Sequence, residues 1–159
     1  MRFVPSLLLC LLSFATIAKA DPLLVNVEVT TRNSAWQKPF ETCIKNRIMR
    51  WALTPPEIEV SFTQYSKSGV DVYLVTKPSK LTGGEQVGID AAIVVDIRTS
   101  TQAPFVSVVG GGDDRQGMSY ICDSVLEAFV NRMKAAMAEA ERIRPSQPAI
   151  PDDPNDLEL

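Results

Sequence analysis

The sequence predicts an α+β fold, a two-layer sandwich with a mainly antiparallel sheet of four to five strands and two helices on one face, in the order β-α-β-β-β-β-α. Two kinds of hydrophobic spacing support this prediction. Several segments carry apolar residues at every second position, which indicates strands, and two segments carry them every three or four positions, which indicates helices. One side of the predicted strands is far more apolar than the other, as expected for a sheet covered on one face.

The first strand and first helix are predicted from adjoining patterns. In residues 23–29, leucine and valine alternate with mostly polar residues, which indicates a strand. Asn33 or Ser34 can cap the helix that follows, with Pro39 in its first turn. The apolar residues of this helix recur at helical spacing: Phe40, Cys43, Ile44, Ile48 and Trp51.

Four further strands and a long helix complete the predicted domain. The strands are expected at residues 58–62, 70–76, 87–97 and 104–109, and the third of these has the longest alternation. Asp113 or Asp114 is expected to cap the second helix, which is expected to run to about Arg142. Its apolar stripe contains Met118, Cys122, Val125, Phe129, Met133, Ala136 and Ala140.

The two ends of the chain differ from this domain, which is predicted to span residues 21–144. Residues 1–20 have the features of a secretory signal peptide: Arg2, an apolar run, and small residues at Ala18 and Ala20. Residues 145–159 are rich in proline and acidic residues and are predicted to be a disordered tail. The mature protein is therefore expected to start near Asp21, without a stable membrane anchor, and to be periplasmic or secreted.

The three cysteines bear on compartment and stability. Cys10 would be acylated in a lipoprotein, but a lipoprotein signal places a small residue before its cysteine and Leu9 stands there instead. Removal of the signal leaves Cys43 and Cys122, and two cysteines in an exported chain most often form a disulfide. The alternative is two independent buried thiols.

Composition excludes several classes of function. The chain has nineteen acidic and sixteen basic residues, and two of the basic residues lie in the predicted signal peptide, so the mature charge of −5 argues against nucleic-acid binding. The chain contains no histidine, which excludes histidine-dependent hydrolase triads and histidine-ligated metals. The sequence accordingly predicts no catalytic residue, no cofactor and no metal site.

The glycine-rich loop at residues 110–112 has two interpretations. Glycines before a helix can cradle a phosphate, but Asp113 and Asp114 place negative charge where that anion would bind. No phosphate-loop or dinucleotide-binding pattern can be read there. The sequence therefore favours a flexible strand-to-helix turn with an acidic cap.

The first helix carries the candidate partner-binding residues. Basic residues cluster along it, and two tryptophans lie near its ends, a combination typical of interface hot spots. The candidates are Trp36, Lys45, Arg47, Arg50 and Trp51. The alternatives are a solvated basic helix face and, for Trp51, packing in the core.

The order of elements, together with the long alternating strand, the turn at residues 96–99 and the glycine-rich start of the last helix, resembles that of small periplasmic assembly proteins. These include the lipopolysaccharide-transport lipoprotein and the curli-secretion lipoprotein. The resemblance covers residues 23–137 and lies in the pattern alone, without a diagnostic motif. It implies a role in assembly at the cell envelope.

Two classes of function follow from these observations. The first is an exported, non-catalytic binding protein of the cell envelope, either an accessory or assembly subunit or an inhibitor or immunity-type protein. Its expected partner is another envelope or secreted protein, bound through a sheet edge, the open polar sheet face or the first helix. The alternative is a carboxylate-dependent hydrolase acting on envelope polysaccharide. The available carboxylates are those of Asp71, Asp90, Asp96, Asp113 and Asp114.

Overall fold

The computed structural model describes residues 21–54, 57–64 and 68–143. The predicted signal peptide and the predicted acidic tail lie outside the described residues. The described chain has the predicted order of elements: β1 (Leu23–Thr31), α1 (Ser34–Ala52), β2 (Val60–Phe62), β3 (Val70–Lys80), β4 (Gln86–Ile97), β5 (Phe105–Gly111) and α2 (Arg115–Ile143). β3 and β5 extend beyond their predicted ends, whereas β2 is shorter than predicted.

The five strands form one mixed sheet in the order β2-β1-β3-β4-β5. The pairs β3–β4 and β4–β5 are antiparallel as predicted, whereas β1 runs parallel to both β2 and β3. The parallel pair of β1 and β2 follows from α1, because a helix between two strands returns the chain so that the next strand runs in the same direction. The predicted α+β fold is confirmed.

The core lies between one face of the sheet and the two helices. Alternate residues of β1, β3 and β4 point into it, and the longest predicted strand contributes every second residue from Ile89 to Val95. The largest fully buried side chains of this core are Phe40, Phe129, Ile44, Ile48, Leu74, Ile89, Ile93, Ile121, Val25, Val72, Val95 and Val125. The helices thus cover one face and leave the other open.

Both helices directly follow predicted cap residues. The Asn33 side chain accepts a hydrogen bond from the Ala35 N–H at 3.1 Å, and Asp114 Oδ1 accepts one from the Gly117 N–H at 2.7 Å. Each cap satisfies a backbone donor that the first helical turn leaves free. The expectation for Pro39 was wrong: α1 begins at Ser34, so this proline lies in the second turn, where it lacks the N–H that would bond to the carbonyl of the residue four positions before it.

α1 and α2 are joined by the predicted cysteine pair. The Cα atoms of Cys43 and Cys122 are 6.2 Å apart, a separation that a disulfide spans, and the structure bonds them. Further along the helices, Trp51 packs edge-on against Phe129 with ring centroids 5.2 Å apart. Among the described residues, no helix has the length and apolar character needed to cross a membrane.

Four glycines form a seam where β4, β5 and the start of α2 meet, and we call Gly88, Gly111, Gly112 and Gly117 the glycine seam. A Cβ on Gly117 would lie 2.1 Å from the Gly112 carbonyl oxygen, and one on Gly88 would lie 2.3 Å from the Gly111 carbonyl oxygen. Backbone therefore contacts backbone at both places. The glycine-rich loop lets α2 begin directly against the end of the sheet.

Candidate partner-binding surface

The open face of the sheet carries an apolar surface that the sequence did not predict. On this face Tyr73 pairs across the strands with Val94, and Val94 with Val106; in the next row Val75 pairs with Ala92, and Ala92 with Val108. We call these residues the valine patch: Tyr73, Val75, Ala92, Val94, Val106 and Val108. The alternation of β3, β4 and β5 places all six on the side away from the helices.

The valine patch is most open to solvent at Val75 on β3 and along β5. Val75, Val106 and Val108 are 51%, 64% and 74% exposed, whereas Tyr73, Ala92 and Val94 are half-buried. Single exposed apolar residues are ordinary, but a contiguous exposed apolar surface marks an interaction site. A concavity of about 520 Å³ adjoins the patch and is lined in part by Val75, Ala92 and Val108.

Polar rows border the valine patch along the strands. At one end, Lys77 Nζ lies 3.8 Å from Asp90 Oδ2. At the other end lie Asp71 and Asp96, which face each other across β3 and β4. β1 bounds the third side with polar side chains, and the fourth side is the free edge of β5. An apolar centre with a polar rim is the usual anatomy of a protein–protein interface.

The polar row formed by Asp71 and Asp96 contains a buried carboxylate. Asp71 is only 4% exposed and forms an ion pair with Arg98, whose Nε contacts Asp71 Oδ2 and whose Nη2 donates to Asp71 Oδ1 at 2.8 Å. Asn26 Nδ2 donates to the same Oδ1 at 3.0 Å. The alternation of β3 predicts a solvated Asp71 on the polar face of the sheet, and this prediction is wrong, because side chains from β1 and from the end of β4 cover it.

The contacts of Asp71 determine its protonation. Burial alone would raise the pKa of Asp71, but the hydrogen bonds from Arg98 and Asn26, together with the positive charge of Arg98, outweigh it and leave this pKa below its ordinary value. The same pairing raises the pKa of Arg98. Burial and the neighbouring Asp71 carboxylate raise the pKa of Tyr73 above its ordinary value.

The substitution Asp71→Asn tests this pair through stability. We expect it to lower the free energy of unfolding at pH 7, because it removes the negative charge that strengthens the hydrogen bonds from Arg98. The expected loss is only about 1–2 kcal/mol, because Arg98 is partly exposed and solvent screens its charge. A depressed carboxyl pKa stabilises the folded protein above the unfolded-state pKa, and this contribution is lost as pH falls through the folded-state value. In urea unfolding, the difference between wild type and variant should therefore disappear well below pH 4.

Asp90→Asn is the matched control for this experiment. Asp90 lies on the same face, but its 3.8 Å ion pair with Lys77 joins two well-exposed side chains and contributes about 0.5 kcal/mol or less. A difference between wild type and Asp71→Asn that stayed constant down to pH 2 would contradict the assigned titration.

The structure separates the candidate residues of α1 rather than gathering them into one surface. Lys45 Nζ is 2.5 Å from Glu41 Oε1 and 5.6 Å from the ring centroid of Phe62, on the β2 side of the helix. Arg47 Nε instead lies 2.7 Å from Asp123 Oδ1 of α2, and its Nη2 donates to Ser119 at 2.9 Å. These two basic side chains therefore contact opposite neighbours.

The remaining α1 candidates differ in exposure. Trp36 and Trp51 are half-buried and pack against the core, and Trp51 makes the edge-on contact with Phe129. Arg50 is exposed. Of the five candidates, Arg50 is thus the side chain most available to a partner.

The described residues contain no group of three or more cysteine, aspartate or glutamate side chains placed to hold a metal ion. No protein-family model matches the chain, and no curated protein shows significant sequence similarity to it. The candidate surface therefore rests on the geometry of the sheet.

Proposed function

We propose that the protein is an exported, non-catalytic binding protein that binds another protein of the cell envelope through the valine patch. The observation that carries the proposal is the exposure of Val75, Val106 and Val108 on an uncovered sheet face, where the half-buried Ala92 and Val94 join them into one apolar surface. In water such a surface is stabilised by burial against a partner. The partner's matching surface is apolar at its centre, with charged groups placed to meet Lys77 and the acidic residues of the rim.

Export is part of this proposal. The signal-peptide pattern of residues 1–20 and the Cys43–Cys122 pair both suit an oxidising compartment, either the periplasm or the extracellular space. The protein would act there as an assembly subunit or as an inhibitor of its partner. Intact-mass measurement of the exported protein tests the expected start at Asp21.

Two observations favour binding over hydrolysis of polysaccharide. A hydrolase of this kind needs a carboxylic acid with a raised pKa to protonate the leaving group, whereas the buried carboxyl of Asp71 has a lowered pKa. A concavity of about 630 Å³ at the end of the sandwich that contains Val70 and Ile97 is lined by one acidic residue, Asp21, and mainly by apolar side chains. It lacks the paired carboxylates of such a site.

Val75→Lys tests the proposed surface. Val75 is half-exposed at the centre of the open face, so a lysine there fits the fold but places a charge in the proposed interface. The mature protein and the variant are used to capture partners from an envelope extract, and the identified partner is titrated by calorimetry. We expect Val75→Lys to weaken binding by about tenfold or more, equivalent to about 1.4 kcal/mol. Wild-type binding should have a negative heat-capacity change.

Arg50→Glu is the matched control, because Arg50 is the exposed candidate on α1. It should change affinity by less than about threefold, equivalent to about 0.6 kcal/mol. If Arg50→Glu abolishes binding and Val75→Lys does not, α1 is the binding surface and the valine patch is not. If a single carboxylate substitution abolishes polysaccharide turnover while folding is intact, the hydrolase alternative replaces the binding proposal.

A further inference from the structure

We propose that two copies of the mature chain form a symmetric dimer in which β5 of one copy pairs antiparallel with β5 of the other, centred on Val108. The dimer would join two five-stranded sheets into one continuous sheet. This inference goes beyond the proposed partner, which binds the face of the sheet and not its edge, and the two can fail separately.

The two edges of the sheet differ in how they are protected. β2 is an edge strand of three residues, and a strand this short offers little to pair with. β5 has seven residues, pairs with β4 on one side, and contains neither proline nor a charged side chain. The devices that usually prevent edge-to-edge pairing are therefore present at β2 and missing at β5.

The sequence of β5 is complementary to itself in size when the pairing is centred on Val108. On the open face, Val106 then lies opposite Gly110 of the second copy, and Val108 lies opposite its own equivalent. On the helix face, Phe105 lies opposite Gly111 of the second copy. Large side chains thus meet small ones in the outer pairs, and an aromatic residue opposite glycine covers the exposed glycine backbone.

Charge favours a second copy as the occupant of this edge. Residues 99–112 form an uncharged stretch that includes β5 and both its flanks. Two copies that each carry a predicted mature charge of −5 repel one another elsewhere, but no like charges meet along this strand. A two-fold axis brings the same edge of each copy together, so one neutral strand supplies both sides of the interface.

The molar mass of the mature protein in solution tests the dimer. We expect size-exclusion chromatography with light scattering to give twice the chain mass for wild type at micromolar concentrations. Val108→Lys should halve that mass, because it places two lysines opposite each other at the dimer axis. Val108 is 74% exposed in the single chain, so lysine fits there, and circular dichroism checks that the variant is folded.

Val75→Lys separates this dimer from the proposed function. Val75 lies on β3, away from the β5 edge, so the variant should remain a dimer even where it loses the envelope partner. Wild type that is monomeric at 100 µM would overturn the inference. So would a dimer that Val75→Lys dissociates and Val108→Lys does not, because that result indicates packing through the open face.

Cross-linking tests the register. Val108→Cys places two thiols directly opposite each other, at a Cβ separation of about 5 Å, and should form an intermolecular disulfide on mild oxidation. Val106→Cys is the control, since its nearest partner is Gly110 of the second copy and the two introduced thiols lie about four residues apart along the strands, roughly 13 Å. Efficient cross-linking of Val106→Cys with none of Val108→Cys would overturn the proposed centre.

Discussion

Gly117→Ala should lower the free energy of unfolding by about 2–3 kcal/mol, the upper part of the range typical when side-chain atoms are forced into a packed site. The added Cβ would lie 2.1, 2.2 and 2.5 Å from the carbonyl oxygen, nitrogen and carbonyl carbon of Gly112. These are backbone atoms, which cannot turn away as a flexible side chain can. The penalty outweighs the gain of up to about 1 kcal/mol that alanine has over glycine within a helix. Urea unfolding of the mature protein measures it.

Gly83→Ala is the control for this substitution. A Cβ on Gly83 meets nothing within 4 Å, so we expect a change of about 0.5 kcal/mol or less. Equal stability of the Gly117→Ala and Gly83→Ala variants would contradict the close contact between α2 and the end of β5. Loss of stability in Gly117→Ala alone would establish that the glycine seam fixes where α2 begins.

The glycine seam illustrates what periodicity can and cannot predict. The sequence identified the loop at residues 110–112 because three glycines before a helix are a local pattern. Gly88 lies within a strand and Gly117 within a helix, and their role depends on close backbone contacts, with Gly111 for Gly88 and with Gly112 for Gly117, that periodicity does not reveal. An isolated glycine inside an element was the available signal, since it often marks a close backbone approach.

Periodicity also could not predict that the sheet is mixed. Alternation along each strand identifies which residues share a face, but it is the same for parallel and antiparallel neighbours. The direction of β2 relative to β1 is indicated by the connection between them. This connection contains α1, and the two strands of a strand–helix–strand unit run in the same direction. The antiparallel sheet was predicted from the contrast between its apolar and polar faces, and the pairs β3–β4 and β4–β5 are antiparallel.

The open face departs from the sequence prediction in two opposite ways. The intervening positions of the strands were expected to be solvated, yet Asp71 is buried by Arg98 and Asn26, which come from other strands or strand ends. Conversely, Val75 and Val108 are exposed although they are apolar. Both outcomes depend on cross-strand register, which a single sequence leaves open. Valine at positions that should be polar was the signal for a binding surface.

Cys43→Ala should lower the free energy of unfolding by about 2–5 kcal/mol, the usual cost of losing a disulfide from a small exported domain. The bond closes a loop across a sequence separation of 79 residues, and in the loop-entropy model it restricts the unfolded chain by about 4.5 kcal/mol. The folded state should survive, because Trp51 still packs on Phe129 and Arg47 still pairs with Asp123 across the two helices.

Unfolding with and without reductant provides the control. Reductant should lower the stability of wild type to about that of Cys43→Ala and should leave Cys43→Ala unchanged, because the remaining thiol of Cys122 is almost fully buried and has no partner cysteine in the mature chain. If both thiols of the native, unreduced protein react with an alkylating agent, the two helices are not covalently joined. Their association would then depend on the packing of α1 and α2 alone, and reductant would have no effect on either protein.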